Sequence, residues 1–318
     1  MLNGKRVLVT GGAGFIGSNL IKRLLEYNVS IVATVHRNDP KIMDHRIEYI
    51  VCDLQNTNDC HRACCNIDYV FLCAANTSGA AVMETTPLVH LTPNLIMNAN
   101  MLEAAYAKGV KKVLFLSSNS VYPVTDYPVV EEEAKFDFFE KYFIVGWMKM
   151  FSEKMCEMYA TKIKKPMTTI VVRPGNVYGP GDDFEWETSH VLPALIRRVV
   201  ERHDPISVWG DGNDIKDFIY VDDLVTGLIM AMEQVETFDI FNIAGGKPYI
   251  VKDLLSLIIV LDRYAGVRIE FDASKPTMIP KRLINIDKAK IVLGFKPTTS
   301  IDVGLSRTIE WYRRTSHA

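Results

Sequence analysis

The sequence predicts an α/β protein: a doubly wound parallel sheet with a smaller α/β C-terminal lobe. Two patterns carry this. Short, β-branched, nearly continuous apolar runs recur as RVLVT (6–10), SIVATV (30–35), IEYIV (47–51), DYVFLC (68–73), KVLFLS (112–117) and TTIVV (168–172). Continuous rather than alternating runs are what strands need when helices cover both faces of a sheet. Between them lie amphipathic stretches such as FIGSNLIKRLLEY and NLIMNANMLEAAYAKG, the latter stopping at Gly109. Strand and helix in alternation build parallel βα units.

The texture changes after RPGNVYGPGDD (173–183), where a loop rich in Gly, Pro and Asp precedes a helix expected over about 190–202. Residues 1–175 are therefore assigned to the sheet domain and 176–318 mainly to the smaller lobe. The helix VDDLVTGLIMAM (221–232) and strand DIFNIA (239–244), within a segment of about 215–244, are expected to return to the first domain. The run EEE at 131–133 reads as a solvated loop or a helix start.

Composition excludes several function classes. Thirty-six basic and 38 acidic residues among 318 leave a formal charge of −2, without the basic excess that draws a nucleic acid backbone. No run of about 18 apolar residues is present, and MLNGKRVLVTGG passes directly into a strand and turn, so no membrane span is expected and a cytoplasmic location follows. The six cysteines lack a paired CxxC spacing. They read as small buried hydrophobes, and no metal site is expected.

TGGAGFIGS (10–18) follows a strand and opens a helix, the context that makes a glycine pattern a Rossmann-type phosphate loop. Gly11 serves the tight turn, Gly14 the approach of backbone to a pyrophosphate, and Gly17 the packing of helix on strand. Phe15 and Ile16 sit in the first turn, where free N–H groups and the helix dipole favour an anion. At the end of the second strand an acid would bind a ribose 2′-hydroxyl, and a base a 2′-phosphate. His36 and Arg37 stand there, which tilts the expected NAD(P) cofactor towards NADP. Arg37 stacking on adenine, or Asp39 as the acid in a longer turn, keeps NAD open.

The GGxGxxG spacing resembles the extended, nucleotide-sugar-modifying branch of the short-chain dehydrogenase/reductase superfamily, the NAD-dependent epimerase/dehydratase family. Further motifs carry the resemblance along most of the chain: Asp53-Leu54 after the third strand, CAAN with Ala74 and Ala75 after the fourth, Asn94, SSNSVYP (117–123) and RPGNVYGPGD from Arg173. The resemblance implies that Asp53 and Leu54 lie by adenine and that Ala74 and Ala75 flank the cofactor. It implies a Ser/Thr at the end of the fifth strand, here Ser118, and a YxxxK pair on the following helix. GWMKMFSE supplies Gly146, Lys149 and Glu153 at the family offsets, but Val145 stands where the Tyr belongs. Lys149 keeps its implied bond to the nicotinamide ribose; Val145 cannot move a proton. Tyr142 lies on the same helical face, yet about 10 Å along the axis from Lys149, roughly a turn further than the usual pair. It is either a substitute that swings in or a packing and substrate-lining residue.

TSHVLPALIRR (188–198) resembles the GDP-fucose synthase branch, in which the matching His190 is an acid or base near the sugar and Arg198 binds substrate. Val191 and Asn176 fall in the same substrate-lining motifs. Trp209 and Lys216, in SVWGDGNDIKDFIYVDD, match positions that pack on the nucleotide and approach the diphosphate, and Lys275 and Arg282 are further candidate phosphate or ribose contacts. The branch carries an acid/base Cys where this chain has Ser120, a hydroxyl far less acidic, which disfavours double epimerisation. Asn119-Ser120 likewise replaces the Asp-Glu pair of the sugar 4,6-dehydratases. What remains is hydride transfer, most naturally at C4 of a nucleotide sugar, and the resemblance implies a homodimer through the helices of NANMLEAAY and GWMKMFSEKMCEMY. The competing expectation is a cofactor- and sugar-nucleotide-binding protein with little catalysis.

Overall fold

A computed structural model describes residues 2–77, 86–275 and 278–316. In chain order the elements are β1 (Arg6–Thr10), α1 (Phe15–Leu24), β2 (Ser30–Val35), β3 (Ile47–Val51), α2 (Thr57–Ala63), β4 (Tyr69–Leu72), α3 (Thr92–Ala107), β5 (Lys112–Leu116), α4 (Phe143–Thr161) and β6 (Thr168–Pro174). They continue with β7 (Asn176–Tyr178), α5 (Val191–Val200), β8 (Ile206–Trp209), β9 (Ile215–Tyr220), α6 (Val221–Gln234), β10 (Phe238–Ile243), β11 (Pro248–Ile250), α7 (Val251–Leu261), β12 (Ile269–Asp272), β13 (Lys281–Arg282) and α8 (Ile301–Ser316).

Among the described residues, seven strands form one sheet in the order β10-β6-β5-β4-β1-β2-β3, every neighbour parallel. The runs read from the sequence are the strands, and β4 and β5 are buried at every position. IEYIV is the exception: as edge strand β3 it leaves Val51 69% exposed, so its continuous apolarity does not report burial on both faces. One core layer packs Leu20, Ile21 and Leu24 of α1 with Leu224 and Leu228 of α6; the other packs Cys60, Cys64, Met101, Leu102 and Cys156 from α2, α3 and α4. Burying each of these leucine, isoleucine and methionine side chains contributes about 1.5–3 kcal/mol. Cys52, Cys60, Cys64 and Cys156 are buried, whereas Cys65 is exposed.

The EEE run is a short 3-10 turn and is not uniformly solvated. Glu131 is buried and accepts a 2.7 Å bond from the Asn242 N–H, and burial raises its pKa. The partner is a backbone N–H of edge strand β10, distant in sequence, which the local charge pattern could not reveal.

Register brings the carboxyl ends of the central strands level: Thr10 pairs with Leu72, Leu72 with Phe115, and Leu116 with Val172. Gly11, Cys73 and Ser117 therefore leave the sheet along one edge, beside Arg173 near the end of β6. Strand order also reverses between β1 and β4, the switch point at which open α/β sheets bind ligands. Beyond Gly175 the chain changes sheets: β7 pairs with β9, which also pairs with β11 and β13, while β8 pairs with β12. Leu192, Leu195, Ile196 and Val199 of α5 pack with Leu254, Leu255 and Ile258 of α7 and with Leu305 and Ile309 of α8 to give this lobe its own core.

Candidate active site

One cleft of about 1360 Å³ runs between sheet edge and small lobe, from the glycine loop to Trp209 and Lys216. At its first end the backbone is held close. Gly11 adopts φ +70°, and a Cβ there would lie 2.9 Å from the Ala74 Cα. A Cβ on Gly17 would meet the Gly11 carbonyl oxygen at 2.2 Å, well inside contact distance, so the α1 start can reach the β1 turn only without a side chain. Gly14, by contrast, meets only the Gly11 carbonyl, at 3.1 Å. Thr10 Oγ1 accepts 3.0 Å bonds from the N–H groups of Cys73 and Ala74, and Asn94 holds Asn76 through bonds of 2.8 and 2.9 Å to its backbone. These bonds fix the β4 loop that carries Ala74 and Ala75. A loop with no room for a Cβ at Gly11 or Gly17, at a helix start with no acidic residue in its first turn, fits a dinucleotide pyrophosphate.

His36 and Arg37 lie exposed on the rim, with Asp53 and Leu54 further along the wall. Lys41, not singled out from the sequence, reaches the same rim and donates a 3.0 Å bond to the Gly181 carbonyl of the opposite lobe. Only the fold, which brings the 179–183 loop over α1, makes Lys41 a cleft residue.

In the middle of the cleft Ser118 caps a short 3-10 turn, its Oγ accepting a 3.1 Å bond from the Ser120 N–H. The Ser118 hydroxyl proton thus stays available to a substrate oxygen. Ser120 Oγ is buried and without a partner among the described residues. Lys149 is 6% exposed, donates 2.9 Å to the Leu116 carbonyl and lies 5.0 Å over the Phe115 ring. Burial lowers its pKa to about 8, against the opposing charges of Glu153 and Cys73. One turn on, Glu153 is locked in a buried bidentate pair with Arg173, with bonds of 3.0 and 2.5 Å, and accepts a further bond from Ser117. The Arg173 guanidinium also donates to Tyr122 OH and to the Glu131 carbonyl, tying α4 to the β5 and β6 ends.

Val145 and Tyr142 both line the cleft, Val145 half-buried where the family's Tyr is expected. Burial pushes the Tyr142 phenol up to about 12, with Arg282 opposing and Asp214 adding to the rise. Arg282 itself is 2% exposed, donates to the Tyr122 and Pro123 carbonyls at 3.0 and 2.8 Å, and has no carboxylate partner among the described residues. It sits behind the cleft wall rather than on it; Lys275 is exposed on the surface.

His190 is the N-cap residue of α5 and opens on the cleft, where burial of its surroundings lowers its pKa and Asp183 opposes. Val191, Asn176 and Arg198 line the same space. The Arg198 and Arg197 guanidinium groups lie 4.9 and 4.1 Å from the ring centre of Trp186, an aromatic that sequence reading missed because nothing in its spacing marks it. Lys216 donates 3.0 Å to the Ile279 carbonyl and pairs with Asp214. Apart from Arg282 and Lys275, the singled-out cofactor, catalytic and substrate residues share one cleft.

Comparison with known proteins agrees with this geometry. The family model of the NAD dependent epimerase/dehydratase family matches residues 7–244. The chain belongs to that family. A relative, the putative GDP-L-fucose synthase 2 of Arabidopsis thaliana, is 30% identical over 96% of this chain and 91% of its own. The dTDP-4-dehydro-6-deoxy-D-allose reductase of a Streptomyces species is 29% identical, covering 98% of this chain and 97% of its own. Among solved structures, a UDP-glucose 4-epimerase with UDP-glucose from Thermotoga maritima superposes with a TM-score of 0.86 at 28% identity, covering 98% and 99% of the two chains. Nucleotide-sugar epimerases and reductases are thus this epimerase/dehydratase chain's relatives. No helix among the described residues is long and apolar enough to cross a membrane.

Proposed function

We propose that the protein is an oxidoreductase of nucleotide-activated sugars, GDP-linked hexose or heptose in the first place, that transfers hydride at C4 as a dehydrogenase, ketoreductase or 4-epimerase. The observation that carries this reading is the single cleft joining the glycine loop, Ser118, Lys149, His190 and Trp209. At about 1360 Å³ it exceeds the 300–1000 Å³ or so of a typical one-ligand pocket, leaving room for a dinucleotide and a sugar nucleotide together.

Gly11, Gly14, Phe15, Ile16, Gly17, Asp53, Leu54, Ala74 and Ala75 would hold an NAD(P) cofactor, whose nicotinamide would supply the hydride acceptor or donor. Arg37 and His36 favour NADP at the adenosine end. The protein must then orient the C4 oxygen and move its proton. Ser118 holds the oxygen by donating its free hydroxyl proton, and Lys149 keeps N–H groups beyond its Leu116 bond for the cofactor ribose. His190, neutral at pH 7 because its pKa lies below the ordinary 6.5, is the group able to accept a proton. Tyr142, pushed up to about 12, is poorly suited as a base. Ser120, in place of a thiol, restricts the chemistry to one centre.

The exposed faces of α3 and α4 support a homodimer. Phe143, Trp147, Phe151 and Met158 form a stripe along α4, beside Ile96 and Tyr106 of α3, all at least 38% exposed. A cytoplasmic setting accords with this reading. Val145 favours a second reading, a binding protein that turns over little. The test loads purified protein with NADP or NAD and adds GDP-, UDP- and dTDP-sugars. A change in 340 nm absorbance with a GDP-sugar supports the enzyme; sugar-nucleotide binding with no change across the panel supports the binding protein.

A further inference from the structure

The loop between β7 and α5 carries a buried acid that the reading above leaves unused. Asp182 lines the cofactor end of the cleft and is 9% exposed. Its Oδ1 accepts a 2.8 Å bond from the Asp183 N–H, but Oδ2 is shielded from water and has no partner among the described residues. A shielded carboxyl oxygen without a donor is costly to keep, and rare enough to demand a reason.

Its position supplies one. Asn19 Nδ2 bonds both the Phe15 and Pro180 carbonyls at 2.9 Å, fastening the loop to the first turns of α1. Gly181, beside Asp182, packs near Phe15, and Lys41 Nζ closes the outside through the Gly181 carbonyl. These contacts hold Pro180 and Gly181 at the first turns of α1, and Asp182, the next residue, lines the same cleft as Gly14, Phe15, Ile16 and Gly17.

We propose that Asp182 is a cofactor-binding residue, its carboxyl turning about the Cβ–Cγ bond to donate a hydrogen bond to a pyrophosphate oxygen of the dinucleotide. This rests on the dinucleotide-binding reading above and adds a donor from the opposite lobe. An ionised carboxylate would repel the pyrophosphate, so the contact needs the proton. Burial raises the pKa to about 8; the Asp183 N–H bond opposes, the Asp183 charge adds and the Lys41 charge opposes. Lys41, from the loop after β2, and Asp183, on the same loop, are the charged groups facing it, and the first turn of α1 (Phe15, Ile16, Gly17, Ser18) brings none.

The consequence is proton-linked binding. If only the protonated form binds, affinity is flat below the pKa and falls about tenfold between pH 7 and pH 9. Calorimetric titration of the full chain with NADH and with ADP-ribose, from pH 6.5 to 9, in buffers of different ionisation enthalpy, reads both the affinity and the protons taken up. Wild type is expected to take up protons near pH 8.5 and lose about tenfold in affinity by pH 9 with both ligands. Lys149 titrates in the same range, so the variant decides. Asp182→Asn, whose amide still donates, should bind as wild type at pH 7 and lose most of the pH slope. If it does not fold, Asp182→Ala should bind more weakly at pH 7 and likewise lose the slope. A wild type without proton uptake, or a folded variant that keeps the full slope, overturns the assignment. Absence of NADH binding even at pH 7 would instead remove the cofactor reading on which it stands.

Discussion

The two halves of the cleft are specified in different ways. At the cofactor end the site is made of backbone: Gly17 cannot take a Cβ without striking the Gly11 carbonyl, and Thr10 and Asn94 fix the neighbouring loop through main-chain bonds. At the catalytic end it is made of side chains set on a well-anchored helix. There Lys149 and the Glu153–Arg173 pair keep the scaffold, while the residue expected to carry the proton is Val145. A backbone site tolerates almost no change. A side-chain site can lose one function and keep its geometry.

The contrast is broken most severely by changes to the scaffold. Gly17→Val should abolish NADH binding, a loss of at least about 100-fold in affinity, and lower the melting temperature, because overpacking here displaces backbone; fluorescence titration and calorimetry check it. Glu153→Gln leaves Arg173 buried without its carboxylate and should cost about 3–5 kcal/mol of stability by urea unfolding.

At the catalytic end His190→Gln should lower kcat/KM by about 100- to 10,000-fold while leaving the dinucleotide Kd within about threefold. The pH profile carries the sign. His190 must be neutral to accept a proton, so kcat/KM in the oxidising direction should fall as pH drops through a pKa below 6.5. It should fall again above about 8, where Lys149 loses its charge. Val145→Tyr supplies the phenol one turn before Lys149 and is expected to raise turnover by about 10- to 100-fold. The smallest effect belongs to the rim: Arg37→Ser should shift the NADP-to-NAD affinity ratio by about tenfold towards NAD.

The same contrast explains what was legible in the sequence. The strands and the glycine loop were readable because sterics and continuous burial dictate residue types locally; β3 alone deceived, since an edge strand and a central one share the same apolar run. Lys149 and Glu153 could be placed because GWMKMFSE matches the family's offsets. Glu131, Lys41 and Asp182 could not, since each owes its setting to a segment distant in sequence, and nothing in the spacing of Trp186 marks it. Arg282 reads as a phosphate ligand by its motif, whereas in the structure its guanidinium donates to the Tyr122 and Pro123 carbonyls and does not line the cleft.

The central claim is that a cleft without the expected tyrosine still moves a hydride. The most direct measurement is single-turnover absorbance at 340 nm of the NADP- or NADPH-loaded protein mixed with GDP-sugars and their 4-keto counterparts. A stoichiometric rise or fall with a GDP-sugar, slowed by His190→Gln, is the predicted result. An unchanged trace across the panel, from protein that demonstrably binds both cofactor and sugar nucleotide, would contradict it.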